Sequence, residues 1–220
     1  MARRSVPNVL VRPEDLNQSP RPGAPAKLAH VVFKTPRSAE MARWYATVLD
    51  AMVVYRDRRL TFLTYDEEHH RIALVALPKA FRIPGRVWAL HRKVWGFDHV
   101  AFTYDSLPDL VATYRRLADA GITPVWCINH GPTTSMYYED PDGNRVELQV
   151  DNFSGPAELV DWIQNGEFAS NPIGVEFDPD VLERLLGEGV PAEQLLERGS
   201  APPDGRAPRA GLRTIRWKTL

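Results

Sequence analysis

The segment His30-Val31-Val32-Phe33 recurs 69 residues further along the chain as His99-Val100-Ala101-Phe102. The same shift places Tyr45 over Tyr114. A match at several positions with one fixed shift indicates a duplicated structural unit. Because each copy carries a histidine at the start of a β-rich run, the duplication predicts two equivalent strands that each present an imidazole.

Each copy predicts the order βαβββ. A strand is followed by apolar residues at helical spacing, and three short β-rich runs separated by turns come next. Pro and Gly in the last turn, Asp140-Pro141-Asp142-Gly143-Asn144, are typical of a tight connection between strands. The predicted strands are 28–34, 53–55, 60–65 and 71–77, then 98–103, 123–128, 135–139 and 145–150, with helices from Ser38 and over 107–120.

The sequence divides into three parts. Residues 1–26 are rich in proline and form a predicted N-terminal arm, residues 27–151 hold the paired modules (about 27–78 and 97–151), and residues 152–220 form a C-terminal extension with short predicted helices over 181–186 and 192–196. The connector, 79–95, mixes basic and aromatic side chains. It predicts either a solvated linker or a lid over a site.

The amino-acid composition limits the classes of binding partner that we expect. The chain has 27 basic and 28 acidic residues, and its net charge of -1 gives no global attraction to nucleic acid or to an acidic membrane surface. No apolar run is long enough for a membrane span, and the prolines after Met1 argue against a signal peptide. We therefore expect a cytoplasmic protein with a small-molecule partner. The single cysteine, Cys127, is predicted to pack in the interior.

Three side chains have the chemistry of a metal site. An isolated histidine in a strand is more often structural, but His30 and His99 are equivalent in the repeat. Glu147 lies between Val146 and Leu148, where a buried carboxylate would need a partner, and a cation would supply one. Two imidazoles and one carboxylate form the facial set that binds ferrous iron and leaves coordination positions open.

The segment from Phe97 to Phe102, together with the segment from Tyr138 to Leu148, resembles the vicinal-oxygen-chelate superfamily, which includes glyoxalases, antibiotic-resistance binding proteins and type I extradiol dioxygenases. The resemblance covers about residues 27–151. It implies an α+β fold in which two βαβββ modules form an open half-barrel around a metal. It also implies that His30, His99 and Glu147 bind that metal.

The repeat suggests which branch the chain resembles. Glyoxalase-like members add a carboxylate from the first module, but the counterpart of Glu147 here is Pro78. Three protein ligands leave room for a chelating diol and dioxygen, which favours the dioxygenase. By the same resemblance His70 faces the oxygen side of the metal, Tyr137 contacts a diol hydroxyl, and His130 is a further pocket histidine. The interval from His130 to Tyr137 is shorter than the family pattern.

These observations predict a non-haem iron(II) extradiol dioxygenase that cleaves a catechol-type diol with dioxygen and forms a homodimer through its flanking segments. Two other classes fit the same residues less well: a metal-dependent lyase, isomerase or epimerase, and a metal-free protein that sequesters a small molecule. Oxygen consumption and metal content distinguish the three.

Overall fold

A computed structural model describes residue 25 and residues 27–81 and 97–203. Nearly all of the proline-rich arm, most of the 79–95 connector and the basic stretch after residue 203 lie outside the described residues. Within them the chain forms two βαβββ modules followed by a mainly helical extension. The predicted α+β class with paired modules is thus confirmed.

The first module is a four-stranded sheet with one helix against it. Its strands lie in the order β1-β4-β3-β2, with β1 parallel to β4 and the other neighbours antiparallel. A bulge between Val53 and Tyr55 interrupts the pairing of β2. The elements are β1 (Val31–Thr35), α1 (Ser38–Val48), β2 (Met52–Arg56), β3 (Leu60–Thr64) and β4 (Ile72–Ala76).

The second module repeats this order and gains a strand. Its sheet runs β5-β8-β7-β6-β9, with β5 parallel to β8, and the added strand β9 comes from the extension. Ser106 caps the module's helix by accepting a hydrogen bond from the amide of Asp109. The elements are β5 (His99–Thr103), α2 (Leu107–Asp119), β6 (Trp126–Asn129), β7 (Thr133–Glu139), β8 (Arg145–Asp151) and β9 (Val175–Glu176).

The helices of the extension pack against the second module. The side chain of Asp178 caps the third of them, and Tyr114 Oη in α2 donates a 2.7 Å hydrogen bond to Asp180 in its first turn. These contacts make the extension part of the folded unit rather than a loose tail. Its helices are α3 (Pro156–Gln164), α4 (Glu167–Ser170), α5 (Pro179–Gly187) and α6 (Ala192–Leu195).

The core lies between the helices and one face of each sheet. Helix α1 packs on β3 and β4, α2 packs on β8, and the two helices touch each other. The equivalent tyrosines of the repeat, Tyr45 and Tyr114, are both buried, as is Cys127, which is 2% exposed. Burial raises the pKa of the Cys127 thiol well above its usual value, so the predicted packing role of this cysteine is confirmed.

Two predicted boundaries were wrong in ways that concern the site. The first strand begins at Val31, so His30 lies just before β1 and not inside it as predicted. Strand β6 begins at Trp126 and not at residue 123 as predicted, because residues 122–124 form no regular structure after the turn that ends α2. No helix among the described residues has the length and apolar character needed to cross a membrane.

Candidate functional site

His99 and Glu147 meet on one face of the second sheet. The parallel pairing of β5 with β8 aligns Ala101 with Glu147, and alternation along β5 puts His99 on the same face as Ala101. His99 Nε2 lies 2.9 Å from Glu147 Oε2. Glu147 is 4% exposed, so this pair joins a buried carboxylate to a half-buried imidazole.

The other ring nitrogen of His99 is also held. Its Nδ1 lies 2.7 Å from Asp98 Oδ2, and Arg145 Nη1 lies 3.5 Å from the same oxygen. A carboxylate at one imidazole nitrogen fixes the ring and directs the other nitrogen toward a ligand, which is the usual arrangement behind metal-binding histidines. Asp98 therefore belongs to the candidate site.

His99 and Glu147 each stabilise the charged form of the other. The hydrogen bond to Glu147 raises the pKa of His99 to about 8, against the opposing effect of burial. Burial by itself would raise the pKa of Glu147, but hydrogen bonds from His99, Ser135 and Tyr137 outweigh it and hold that pKa below its ordinary value. The site thus stabilises an ionised carboxylate at a buried position.

Tyr137 lies beside this pair. It is the register partner of Glu147 across β7 and β8, so both side chains lie on the same face of the sheet. Its ring stacks on Trp126 at 5.1 Å between centroids and meets the ring of His99 edge-on at 5.3 Å. Burial, followed by the negative charge of Glu147, raises the pKa of the Tyr137 phenol well above its usual value. The next residue, Tyr138, points into the core, as strand alternation predicts.

His130 completes the group at the end of β6. Its Nε2 lies 3.0 Å from Tyr137 Oη, and its Nδ1 lies 2.5 Å from the carbonyl oxygen of Ile173 in the extension. The structure thus connects Asp98, His99, Glu147, Tyr137 and His130 through successive contacts.

His30 and His70 lie in a different cluster, on the first module. Their rings are 4.5 Å apart, and His70 stacks on Phe62 at 4.3 Å. Burial, followed by the charges of His30 and His69, lowers the pKa of His70. His69 is exposed, in keeping with a solvated turn.

The described residues do not gather the predicted ligands into one group. His99 and Glu147 are paired while His30 lies with His70, and over residues 27–81 and 97–203 no three His, Cys, Asp or Glu side chains form a metal-binding cluster. Sequence reasoning missed Trp126 and Ile173. Counting alternate positions across the β6–β7 hairpin identifies Trp126, whereas nothing in the sequence identifies Ile173.

Residues 27–148 match the model of the Glyoxalase/Bleomycin resistance protein/Dioxygenase superfamily. The chain belongs to this superfamily. Over 174 residues it is 47% identical to biphenyl-2,3-diol 1,2-dioxygenase 2 of Rhodococcus globerulus, a match that covers 78% of this chain and 87% of that protein. It is 44% identical over 175 residues to biphenyl-2,3-diol 1,2-dioxygenase 3 of the same organism, covering 80% and 90%.

A more distant superfamily relative is catechol-2,3-dioxygenase of Bacillus subtilis (strain 168). The chain is 29% identical to it over 118 residues, which is 53% of this chain and 39% of that protein. The two Rhodococcus matches extend over more residues than the paired modules contain, so part of the similarity lies in the flanking segments.

Proposed function

We propose that this protein is a non-haem iron(II) extradiol dioxygenase that cleaves the ring of a catechol-type diol. The observation that carries the proposal is the row of side chains on one face of the second sheet, in which His99, Glu147, Tyr137 and His130 contact one another in sequence. The chain is also similar to two biphenyl-2,3-diol dioxygenases over more than three quarters of its length, which supports the same reaction.

The metal would be held by His99 and Glu147, with His30 as the third ligand. An imidazole nitrogen and a carboxylate oxygen suit ferrous iron, and Asp98 already holds the back of the His99 ring as a ligating histidine requires. When bound, ferrous iron supplies a centre at which a diol and dioxygen can meet, together with one-electron chemistry that side chains lack. In the structure the ring of His30 lies 4.5 Å from that of His70 on the first module.

Tyr137 would hold a proton beside the diol. Its raised pKa keeps the phenol protonated at neutral pH, so it can donate a hydrogen bond to an ionised diol oxygen. His130 Nε2, 3.0 Å from the phenol oxygen, can take up or return that proton. Tyr137 and His130 would therefore control where the proton of the substrate hydroxyl goes.

His70, on the first module, would act as a general acid or base. Its lowered pKa makes the neutral ring the main form at neutral pH, and a neutral ring can accept a proton. Stacking on Phe62 restricts the orientation of the ring.

We further propose that the diol carries an aryl substituent. Trp126 and Tyr137 provide stacked aromatic surface beside the His99–Glu147 pair, and two relatives are named for biphenyl-2,3-diol. The rival classes are a superfamily lyase, isomerase or epimerase, which would turn over without consuming oxygen, and a binding protein, which would need no metal. Both relatives with extensive matches favour the dioxygenase.

The test is anaerobic reconstitution with ferrous iron, followed by an oxygen-electrode assay on catechol and biphenyl-2,3-diol. We expect one oxygen consumed for each diol cleaved and faster turnover of the biphenyl compound. His99→Gln, which keeps a polar side chain of similar size, serves as the matched inactive control. Substrate loss without oxygen uptake would assign the protein to a lyase or isomerase, and tight binding without loss would assign it to a binding protein.

The oligomeric state, and the division of the chain into residues 27–151 and two flanking segments, are proposals separate from the reaction. We propose a homodimer, in which the flanking segments outside residues 27–151 extend the contact between copies. Support comes from β2, an edge strand whose residues are all exposed and include Met52, Val53 and Tyr55. Light scattering over a range of concentrations tests this, and a monomer throughout would contradict it.

A further inference from the structure

A short segment of the extension lies against the backbone that leads into His130. Strand β9 pairs with the end of β6, so that Asn129 faces Val175 and Ile128 faces Glu176. Trp126 Nε1 also donates a 2.9 Å hydrogen bond to Glu176 Oε1. The extension therefore supplies one edge of the sheet that carries the candidate site.

The carbonyl of Ile173 constrains the protonation of His130. A carbonyl oxygen accepts hydrogen bonds and cannot donate them, so His130 Nδ1, at 2.5 Å, must carry a proton. In the neutral ring the remaining nitrogen, Nε2, then has a free lone pair. Nε2 lies 3.0 Å from Tyr137 Oη, so it offers the single phenol proton a second acceptor beside the Glu147 carboxylate, and the phenol is the donor whenever the bond to His130 forms.

We propose that Ile173 is a positioning residue whose backbone carbonyl fixes the Nδ1–H tautomer of His130 and so sets the direction of the Tyr137–His130 hydrogen bond. With the opposite tautomer, Nε2–H would donate to the phenol oxygen, and His130 could no longer accept the phenol proton, which would be left to Glu147. The relevance of this direction for catalysis rests on the proposed function. The tautomer itself does not.

Two features hold the carbonyl in place. Gly174 has φ +116°, and a Cβ built there would lie 2.3 Å from the carbonyl oxygen of Asn129 and 2.8 Å from His130 Cα. The side chain of Asn171 closes the turn, because its Oδ1 accepts from the Gly174 amide at 2.9 Å and its Nδ2 donates to the Gly174 carbonyl at 2.8 Å. The close approach at Gly174 therefore requires glycine.

A second part of the extension holds the other side of His130. Arg198 donates a hydrogen bond to the His130 carbonyl, and its guanidinium lies 4.9 Å above the ring of Trp162. Asn129 Nδ2 donates to the carbonyl of Leu196 at 2.7 Å. The backbone around His130 is thus fixed independently of the Ile173 carbonyl, so displacing that carbonyl is expected to change the tautomer without moving the ring far.

The experiment is long-range ¹H–¹⁵N NMR on metal-free protein labelled with ¹⁵N-histidine, at about pH 8.5, where an ordinary imidazole is neutral. A His130→Gln sample identifies the signals of His130 among the six histidines of the chain. We expect the Nδ1–H pattern in the wild type and Nε2–H signals in Gly174→Ala and Asn171→Ala. Gly166→Ala is the matched control, because Gly166 also has positive φ, +87°, but its Cβ would meet nothing within 4 Å.

An Nε2–H ring in the wild type, or an Nδ1–H ring retained in Asn171→Ala, overturns the proposal. Asn171→Ala carries this decision even if Gly174→Ala does not fold, since it adds no atoms. In iron-loaded protein the same two variants are expected to lower kcat about 10- to 100-fold at unchanged iron content, as changes behind a site residue commonly do. If wild-type protein shows no dioxygenase turnover, the proposed function fails while the NMR result still decides the tautomer.

Discussion

Tyr45 in helix α1 of the first module donates a 3.1 Å hydrogen bond to Asp140 Oδ2 in the turn between β7 and β8 of the second. That turn joins the strand of Tyr137 to the strand of Glu147. A 2.6 Å ion pair between Arg37 and Asp142 reinforces the same contact. The first module thus fixes the hairpin that carries half of the candidate site.

Tyr45→Phe is expected to destabilise the fold by about 1 to 3 kcal/mol, because it removes a hydrogen bond from a buried carboxyl group and leaves the aromatic packing in place. Tyr138→Phe is the matched control, since Tyr138 is equally buried but its hydroxyl donates only a weak hydrogen bond to the sulfur of Met136, at 3.9 Å. Urea unfolding of both variants measures the difference. Equal losses would show that the Tyr45–Asp140 bond adds no stability.

The stability should also depend on pH through Asp140. Burial raises its pKa to about 6, although hydrogen bonds from Asn144 and Tyr45 favour the carboxylate. The pKa of Asp140 in the folded protein lies above the unfolded value of 3.8, so protonation of Asp140 stabilises the fold. This stabilisation is fully present below pH 3.8 and is lost as the pH rises through about 6.

Asp140→Asn removes this titration. The stability of the wild type relative to the variant is therefore expected to be greater at pH 4 than at pH 7, by about 2 kcal/mol. Paired urea titrations of metal-free protein at the two pH values measure it, and other titrating groups cancel in the comparison. A difference that does not change with pH would mean that Asp140 remains ionised throughout.

Glu147→Gln is expected to lose most bound iron, because the amide oxygen is a neutral and weaker ligand than the carboxylate. Anaerobic reconstitution followed by elemental analysis measures the loss. Ser135→Ala, which removes a hydrogen bond to that carboxylate and the 3.0 Å hydrogen bond with Thr133 but no charge, should keep iron. Full iron content in Glu147→Gln would remove this residue from the ligand set.

His70→Ala is expected to bind the diol normally yet slow ring cleavage about 10²- to 10⁴-fold, as the loss of a general acid or base commonly does. Single-turnover mixing with oxygenated buffer separates the two steps. His69→Ala is the neighbouring control, since that side chain is exposed and its substitution removes the 2.6 Å contact with His70 Nδ1 while leaving the His70 ring in place. Ring cleavage by His70→Ala at the wild-type rate would show that His70 has only a structural role.

Local pattern and the repeat predicted much of this architecture. Alternation along β7 separated Tyr137 from Tyr138. The repeat identified His99, and the apolar neighbours of Glu147 identified that carboxylate, which the structure places beside His99. Ile173 and Asp180 could not be predicted, because their contacts with His130 and Tyr114 join residues 43 and 66 positions apart and depend on how the extension folds back. The grouping of His30 with His70 also depends on tertiary packing, which strand pattern does not fix.

The buried thiol of Cys127 can report when the structure around β6 opens. The chain has one cysteine, and it lies in the strand that β9 covers, where the amide of Phe177 donates to the Cys127 carbonyl. A thiol reagent can reach this sulfur only when the surrounding structure opens, so the labelling rate of the native protein measures how often the extension separates from the sheet. The same shielding allows a cysteine introduced on the surface to carry a fluorophore selectively, with the native residue left in place.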